Sequence, residues 1–141
     1  TPLLADLTPA ARYLGPVGTA SRFKLVHNLI LGLNRAVLAE GLQFAEALGF
    51  DGGSALAILR QTAAASVAMN AKGERMAKRE YEPPQARLEQ HLKDVRLMLD
   101  EAERFGANTP LTQLHRELLE RAEQLGFGEV DNSAIMEAFN R

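Results

Sequence analysis

The sequence contains no cysteine and no tryptophan among its 141 residues, and only 6% of it is aromatic. Lack of cysteine excludes disulfides, thiol nucleophiles, Cys-ligated zinc and iron–sulfur clusters. Neither sign of charge is in excess: 16 Lys+Arg stand against 18 Asp+Glu, a formal net charge of -2. The molecule as a whole therefore has no strong pull toward nucleic acid or an anionic membrane, and only a local patch could supply one. Long apolar runs are missing too. The richest, from Leu25 to Leu33, is interrupted by His27 and Asn28, well short of the ~20 apolar residues that a spanning helix requires. No secretory leader is visible. These absences predict no membrane partner and a reducing, cytoplasmic setting. A first residue of Thr1 rather than Met suggests a fragment or a processed product.

What is present is enough for one domain. Hydrophobic residues make up 46% of the chain, and a domain of this size buries roughly 68–70% of the surface its unfolded form exposes, so a core needs no staples. Alternating apolar and polar stretches are almost absent, while Ala, Leu, Glu, Arg and Gln dominate, which predicts an all-α fold. A single helical domain of about six helices is expected around one long helix over about 19–48, stopped by Gly49. Gly32 and Gly41 lie inside that helix, where close helix contact would explain both. Ser54 reads as the cap of a second helix, and 65–79 as a third, broken by Pro83-Pro84. Leu88, Leu92, Val95, Leu99 and Ala102 form one apolar stripe on a fourth. Thr109-Pro110 reads as a cap and first position of a fifth, with Leu111, Leu114, Leu118, Ala122 and Leu125 as its buried face. A short last helix over 133–139 follows a cap at Asp131 or Asn132.

On the long helix, with Lys24 at zero, Arg35 falls at about 20° and Asn28 and Glu46 at about 40°, one polar stripe among Phe23, Leu25, Val26, Leu29, Ile30, Leu31 and Leu33. A lysine in apolar surroundings loses solvation of its charged form, which suits it to exchange a proton near neutrality. Asn28, one turn on, offers a ligand both a donor and an acceptor. From spacing alone, the plainer alternative carries more weight: Lys24 snorkels to solvent and Asn28 faces water. Lys93-Asp94, with His91 before it, reads most simply as part of a solvated face. The same holds for a basic strip of Lys72, Arg75, Lys78 and Arg79, so no nucleic-acid partner is expected. His27, His91 and His115 have no metal-motif spacing, and no metal site is expected.

The run Gly15-Pro16-Val17-Gly18-Thr19-Ala20-Ser21-Arg22-Phe23-Lys24-Leu25-Val26-His27-Asn28 resembles the motif that opens the C-terminal helical domain of the β-hydroxyacid dehydrogenases. That family includes 3-hydroxyisobutyrate dehydrogenase, tartronate semialdehyde reductase and, more distantly, 6-phosphogluconate dehydrogenase. Its pattern is G-x-x-G-x-G, then lysine in K-x-x-N-N. Further matches follow in order: Ala39-Glu40-Gly41-Leu42, Gly49-Phe50-Asp51, Leu92-Lys93-Asp94-Val95, Gly126-Phe127-Gly128 and Asp131-Asn132-Ser133-Ala134. The resemblance implies residues 1–17 as a linker from an N-terminal Rossmann domain absent from this sequence, and 18–141 as an all-α substrate-side and dimerisation domain. It implies NAD or NADP as cofactor, a small 2- or 3-hydroxy acid as substrate, and a homo-oligomer. Lys24 would be the catalytic acid/base, Asn28 would bind substrate, and Lys93 would lie close to the cofactor. By itself this segment would be inactive. The chain departs from the pattern at Ala20 (usually glycine), Ser21 (commonly glutamine), His27 (usually asparagine) and Ala86 (frequently phenylalanine). The alternative is a non-catalytic helical interaction or dimerisation module on the same scaffold, a use implied by family members tied to chromatin.

Overall fold

The computed structural model describes residues 12–141, so most of the linker expected over 1–17 lies outside the described residues. The described chain is five α-helices, α1 (Thr19–Ala47), α2 (Gly52–Leu59), α3 (Val67–Lys78), α4 (Leu88–Arg104) and α5 (Pro110–Ala122), followed by a π-turn (Glu123–Phe127) and a 3₁₀ helix (Asn132–Phe139). The all-α fold around one long helix is the architecture the sequence predicts. Among the described residues no helix is long and apolar enough to cross a membrane.

α1 ends where the backbone turns left-handed at Gly49, φ 95°, a conformation glycine adopts at little steric cost. α2 begins one residue group earlier than expected. Asp51 is its cap and accepts hydrogen bonds at 2.9 Å from both the Ser54 backbone N–H and the Ser54 hydroxyl. Ser54 is thus a donor to the cap, because an aspartate three residues upstream already fills the role. Ser66 caps α3 by accepting from the Met69 N–H at 3.1 Å.

The bundle packs on α1, which meets α2, α3, α4, α5 and the 3₁₀ helix. Its buried residues begin only at Gly32 and continue through Arg35, Ala36, Leu38, Ala39 and Leu42. The first three turns are covered on one side only: Leu25 and Leu29 pack against the core and Arg22 reaches Glu101 and the Phe105 ring of α4, while Phe23, Lys24, Val26 and Ile30 stay exposed. α4 buries Leu88, Leu92, Val95 and Met98, as the stripe predicts, while Leu99 and Ala102 are half-buried. α5 keeps its expected face only in part: Ala122 is buried and Leu118 half-buried against the core. It buries Thr112, His115, Leu119 and Ala122, and leaves Leu111 66%, Leu114 53% and Leu125 in the π-turn 54% exposed. Two stripes at helical spacing compete on this helix, and the one carrying His115 wins. The His115 ring lies 5.2 Å from that of His91, and both press on α1 at Gly32, where an added Cβ would stand 2.5 Å from His91 Nε2. Gly41, by contrast, has nothing within 4 Å of an added Cβ, so close packing does not account for it.

A buried ion pair closes the far side of the bundle. Asp131, fully buried, accepts from Lys72 Nζ at 2.8 Å, from the Ser133 hydroxyl at 2.7 Å and from the Gln85 N–H at 2.8 Å. Burial alone would raise the Asp131 pKa; these bonds outweigh it and hold the carboxyl well below the usual range. Backbone bonds Leu88 N–H to Val130 O, 2.9 Å, and Asn132 N–H to Ala86 O, 2.8 Å, lay the loop before α4 along the loop before the 3₁₀ helix. The basic strip expected on α3 is thereby dismantled: Lys72 is buried on Asp131, and Arg79 forks onto Glu46 at 2.8 and 2.6 Å.

Candidate functional site

The loop pairing around Asp131 and the burial pattern of α1 leave a pocket of about 220 Å³ between α1 and α4. α1 contributes Asn28, Leu31 and Arg35, a row at i, i+3 and i+7. α4 faces it with Gln90, His91 and Asp94, the loop before α4 adds Ala86 and Arg87, and Asn132 enters from the start of the 3₁₀ helix. The site is thus assembled from segments more than 100 residues apart in sequence, held in register by the Asp131 bonds.

Its polar groups are unevenly satisfied. Asn28 is half-buried, and its side-chain oxygen accepts from His27 Nδ1 at 3.0 Å. Arg35 is 7% exposed. Burial pulls its guanidinium below the ordinary value, while the charge of Asp131 pulls the other way, and an arginine remains charged at any physiological pH. His91 is held down to about 3, chiefly by burial and then by the charges of Arg35 and His115, so it is a neutral imidazole. Asn132 Oδ1 and His91 Nε2 are both buried without a hydrogen-bond partner. His91 Nε2 faces the Gly32 notch on α1 and neither atom is open to the pocket's space, so the polar groups that a ligand would meet there are those of Asn28, Arg35, Arg87, Gln90 and Asp94. Among the described residues, no group of three or more His, Asp or Glu could hold a metal ion.

Of the residues expected from sequence, Asn28 lines this pocket and Asp94 of the Lys93-Asp94 pair joins it. Lys24 and Lys93 are exposed and are not among its lining residues. The apolar setting expected around Lys24 is not supplied by this chain, because Phe23 is 54%, Val26 48% and Ile30 55% exposed. These residues sit on the turns of α1 that precede its first buried residue. His91, expected on a solvated face, is buried instead. The sequence assigns no site role to Arg35, His91 or Asn132, although Asn132 stands in the Asp131-Asn132-Ser133-Ala134 piece of the family resemblance. Arg35 was present in the polar stripe, about 20° from Lys24, and its azimuth was the available signal.

A family profile described as the NAD-binding of NADP-dependent 3-hydroxyisobutyrate dehydrogenase matches residues 18–139. The chain is 36% identical over 123 residues to the cytokine-like nuclear factor N-PAC of Aedes aegypti, covering 87% of this chain and 22% of that protein. It is 34% identical over 126 residues to glyoxylate/succinic semialdehyde reductase 1 of Arabidopsis thaliana, covering 89% of this chain and 43% of the other. The chain thus spans less than half the length of either relative. The structure of Mycobacterium tuberculosis 3-hydroxyisobutyrate dehydrogenase superposes with a TM-score of 0.83 over 99% of this chain and 50% of that one, at 19% identity, a likeness of fold.

Proposed function

The chain belongs to the family of the NAD-binding of NADP-dependent 3-hydroxyisobutyrate dehydrogenase, and from that premise we propose that it is the substrate-side half of an NAD(P)-dependent oxidoreductase acting on a small 2- or 3-hydroxy acid. In this reading 18–141 is the substrate-side and dimerisation domain, and 1–17 leads in from a dinucleotide-binding domain. The observation that carries it is the meeting of two motif pieces 66 residues apart in one pocket: Asn28, from the K-x-x-N stretch on α1, and Asp94, from the K-D pair on α4.

The described residues contain a single antiparallel bridge, Arg87 with Asp131, in place of a sheet. In this reading a dinucleotide would be held mainly by another domain. Lys93, exposed and next in sequence to Asp94, has the charge to meet a phosphate-bearing cofactor at the cleft edge. NAD or NADP, when bound, takes up or supplies the hydride. The remaining task is the proton. Lys24, one turn before Asn28, would hold the proton exchanged with the substrate hydroxyl, and Asn28 would orient that hydroxyl through its amide. A second domain seated over the exposed outer face of the first turns of α1 would exclude water there, the condition for a lysine to work near neutrality.

The test is to express the parent polypeptide encoded by the reading frame containing this chain and to screen small 2- and 3-hydroxy acids with NAD and with NADP, following reduced nicotinamide. Turnover of at least one hydroxy acid is expected. No turnover with either cofactor would reject the reading.

A second reading is a non-catalytic interaction or dimerisation module. It is favoured by a row on α1 at seven-residue spacing, Phe23 54%, Ile30 55%, Val37 70% and Phe44 65% exposed, an apolar face open to a partner helix or a second copy. Sedimentation that stays monomeric across concentration would remove the second-copy form of it.

A further inference from the structure

We propose that Arg35 is a specificity-determining residue that receives a substrate carboxylate at the buried end of the pocket, so that the preferred substrates are short acids bearing the carboxylate at the opposite end from the reacting oxygen. The word substrate rests on the hydroxy-acid reading above; carboxylate binding at Arg35 does not.

A buried arginine normally sits against a carboxylate, because leaving its charge without a partner in a desolvated place is costly. Among the described residues, no carboxylate lies within ion-pairing distance of Arg35. The nearest candidate by charge, Asp131, is committed to Lys72 at 2.8 Å. What Arg35 does border is the pocket, together with Asn28, Arg87, His91, Asp94 and Asn132. Counting charges there, Arg35 and Arg87 outweigh Asp94 by one, and His91 is neutral at pH 7. Arg87 is the more exposed cation and already approaches Glu89, at 3.7 Å. Arg35 is therefore the charge that remains for a ligand.

Length narrows the class. Asn28 and Arg35 are seven residues apart on one helix, about 10 Å along its axis, so a molecule that touches both side chains across the pocket carries its polar groups at separate ends. The planar guanidinium binds a carboxylate through a fork of two N–H donors. Asn28, half-buried on the pocket wall, can hydrogen-bond a second polar group of the same molecule. A positive, buried end and a half-buried amide end together select an acid with separated polar groups over a neutral alcohol of equal size.

The experiment uses this chain itself, with succinate, butyrate and the neutral isostere succinamide as probes, read by calorimetry and by the imidazole resonances of His91, which lines the same pocket. Succinate and butyrate are expected to bind saturably and to shift the His91 signals, and succinamide is not. Arg35→Met should weaken carboxylate binding about tenfold or more, and Arg35→Lys should retain part of it. Circular dichroism on both variants checks the fold. Unchanged affinity in a folded Arg35→Met variant, no saturable carboxylate binding by the wild type, or shifts that bypass His91 would each overturn the proposal. Carboxylate binding in a parent protein that turns over no hydroxy acid would reject the dehydrogenase reading alone. Turnover with no role for Arg35 would reject this inference alone.

Discussion

Two glycines in one helix carry opposite consequences. An added Cβ at Gly32 would stand 2.5 Å from His91 Nε2 and 2.9 Å from His115 Cε1, so Gly32→Ala must displace two packed rings and is expected to cost about 1–3 kcal/mol. Gly41 is exposed with nothing near an added Cβ, so Gly41→Ala should stabilise by about 0.5–1 kcal/mol through the backbone alone. Urea midpoints of the two variants check both signs. From sequence both glycines look alike, because what separates them is the identity of the facing side chains, and those come from α4 and α5. The Lys72–Asp131 pair was equally hidden: Lys72 reads as one member of a basic strip until the loop at Asp131 folds over it. Lys72→Met leaves a buried carboxylate without its counter-ion and should cost about 3–5 kcal/mol, measured by denaturant unfolding. A loss below ~1 kcal/mol would show that the carboxylate is served by its backbone donors without Lys72.

At the scale of elements, the buried face of α5 is the clearest divergence between pattern and packing. Its leucines and its Thr112, His115, Leu119 and Ala122 row are both helical stripes, and hydrophobicity favours the leucines. The second row wins because a neutral imidazole packs well against a glycine notch on α1, a fact of tertiary context that no single-helix periodicity contains. Both imidazoles pay for that position with their protonation. Burial, then the charge of Arg35, holds His91 down to about 3 and His115 to about 4. In the unfolded chain each returns to about 6.5. Below that pH the unfolded state binds protons that the folded state refuses, so stability is full above about pH 6.5 and declines as pH falls toward 4. The limiting slope is about 1.4 kcal/mol per pH unit for each histidine. Asp131, whose carboxyl is held low in the fold, adds its own loss only below about pH 4. Arg35, Arg87 and Asp94 are the charged side chains that line the pocket with His91. Unfolding midpoints from pH 8 to 4.5 check the prediction, and a flat profile would mean that the rings are solvated. By contrast, the stripe of α4 and the length of α1 were legible directly, since a strongly periodic helix packing on one side leaves little choice of face.

For the whole molecule, the all-α architecture was readable from composition and periodicity, and the family from an ordered set of short motifs. The pocket was legible only in part. Asn28 could be read because it stands in a motif, and Asn132 stands in another, whereas the meeting of both with Arg35 and His91 depends on helix packing and a loop pairing that sequence spacing does not encode. Lys24 stands outside that pocket on the exposed face of the first turns of α1. The role proposed for it therefore depends on the chain acting as one half of a cleft, a reading that goes with a sequence spanning 43% of its reductase relative. The most direct measurement is kcat of the parent polypeptide on its hydroxy acid with Lys24 and with Lys24→Ala, each checked for fold and cofactor affinity. Loss of general acid–base catalysis is expected to lower kcat by about 10²–10⁴-fold with cofactor affinity unchanged. An undiminished kcat in the Lys24→Ala protein would contradict the account.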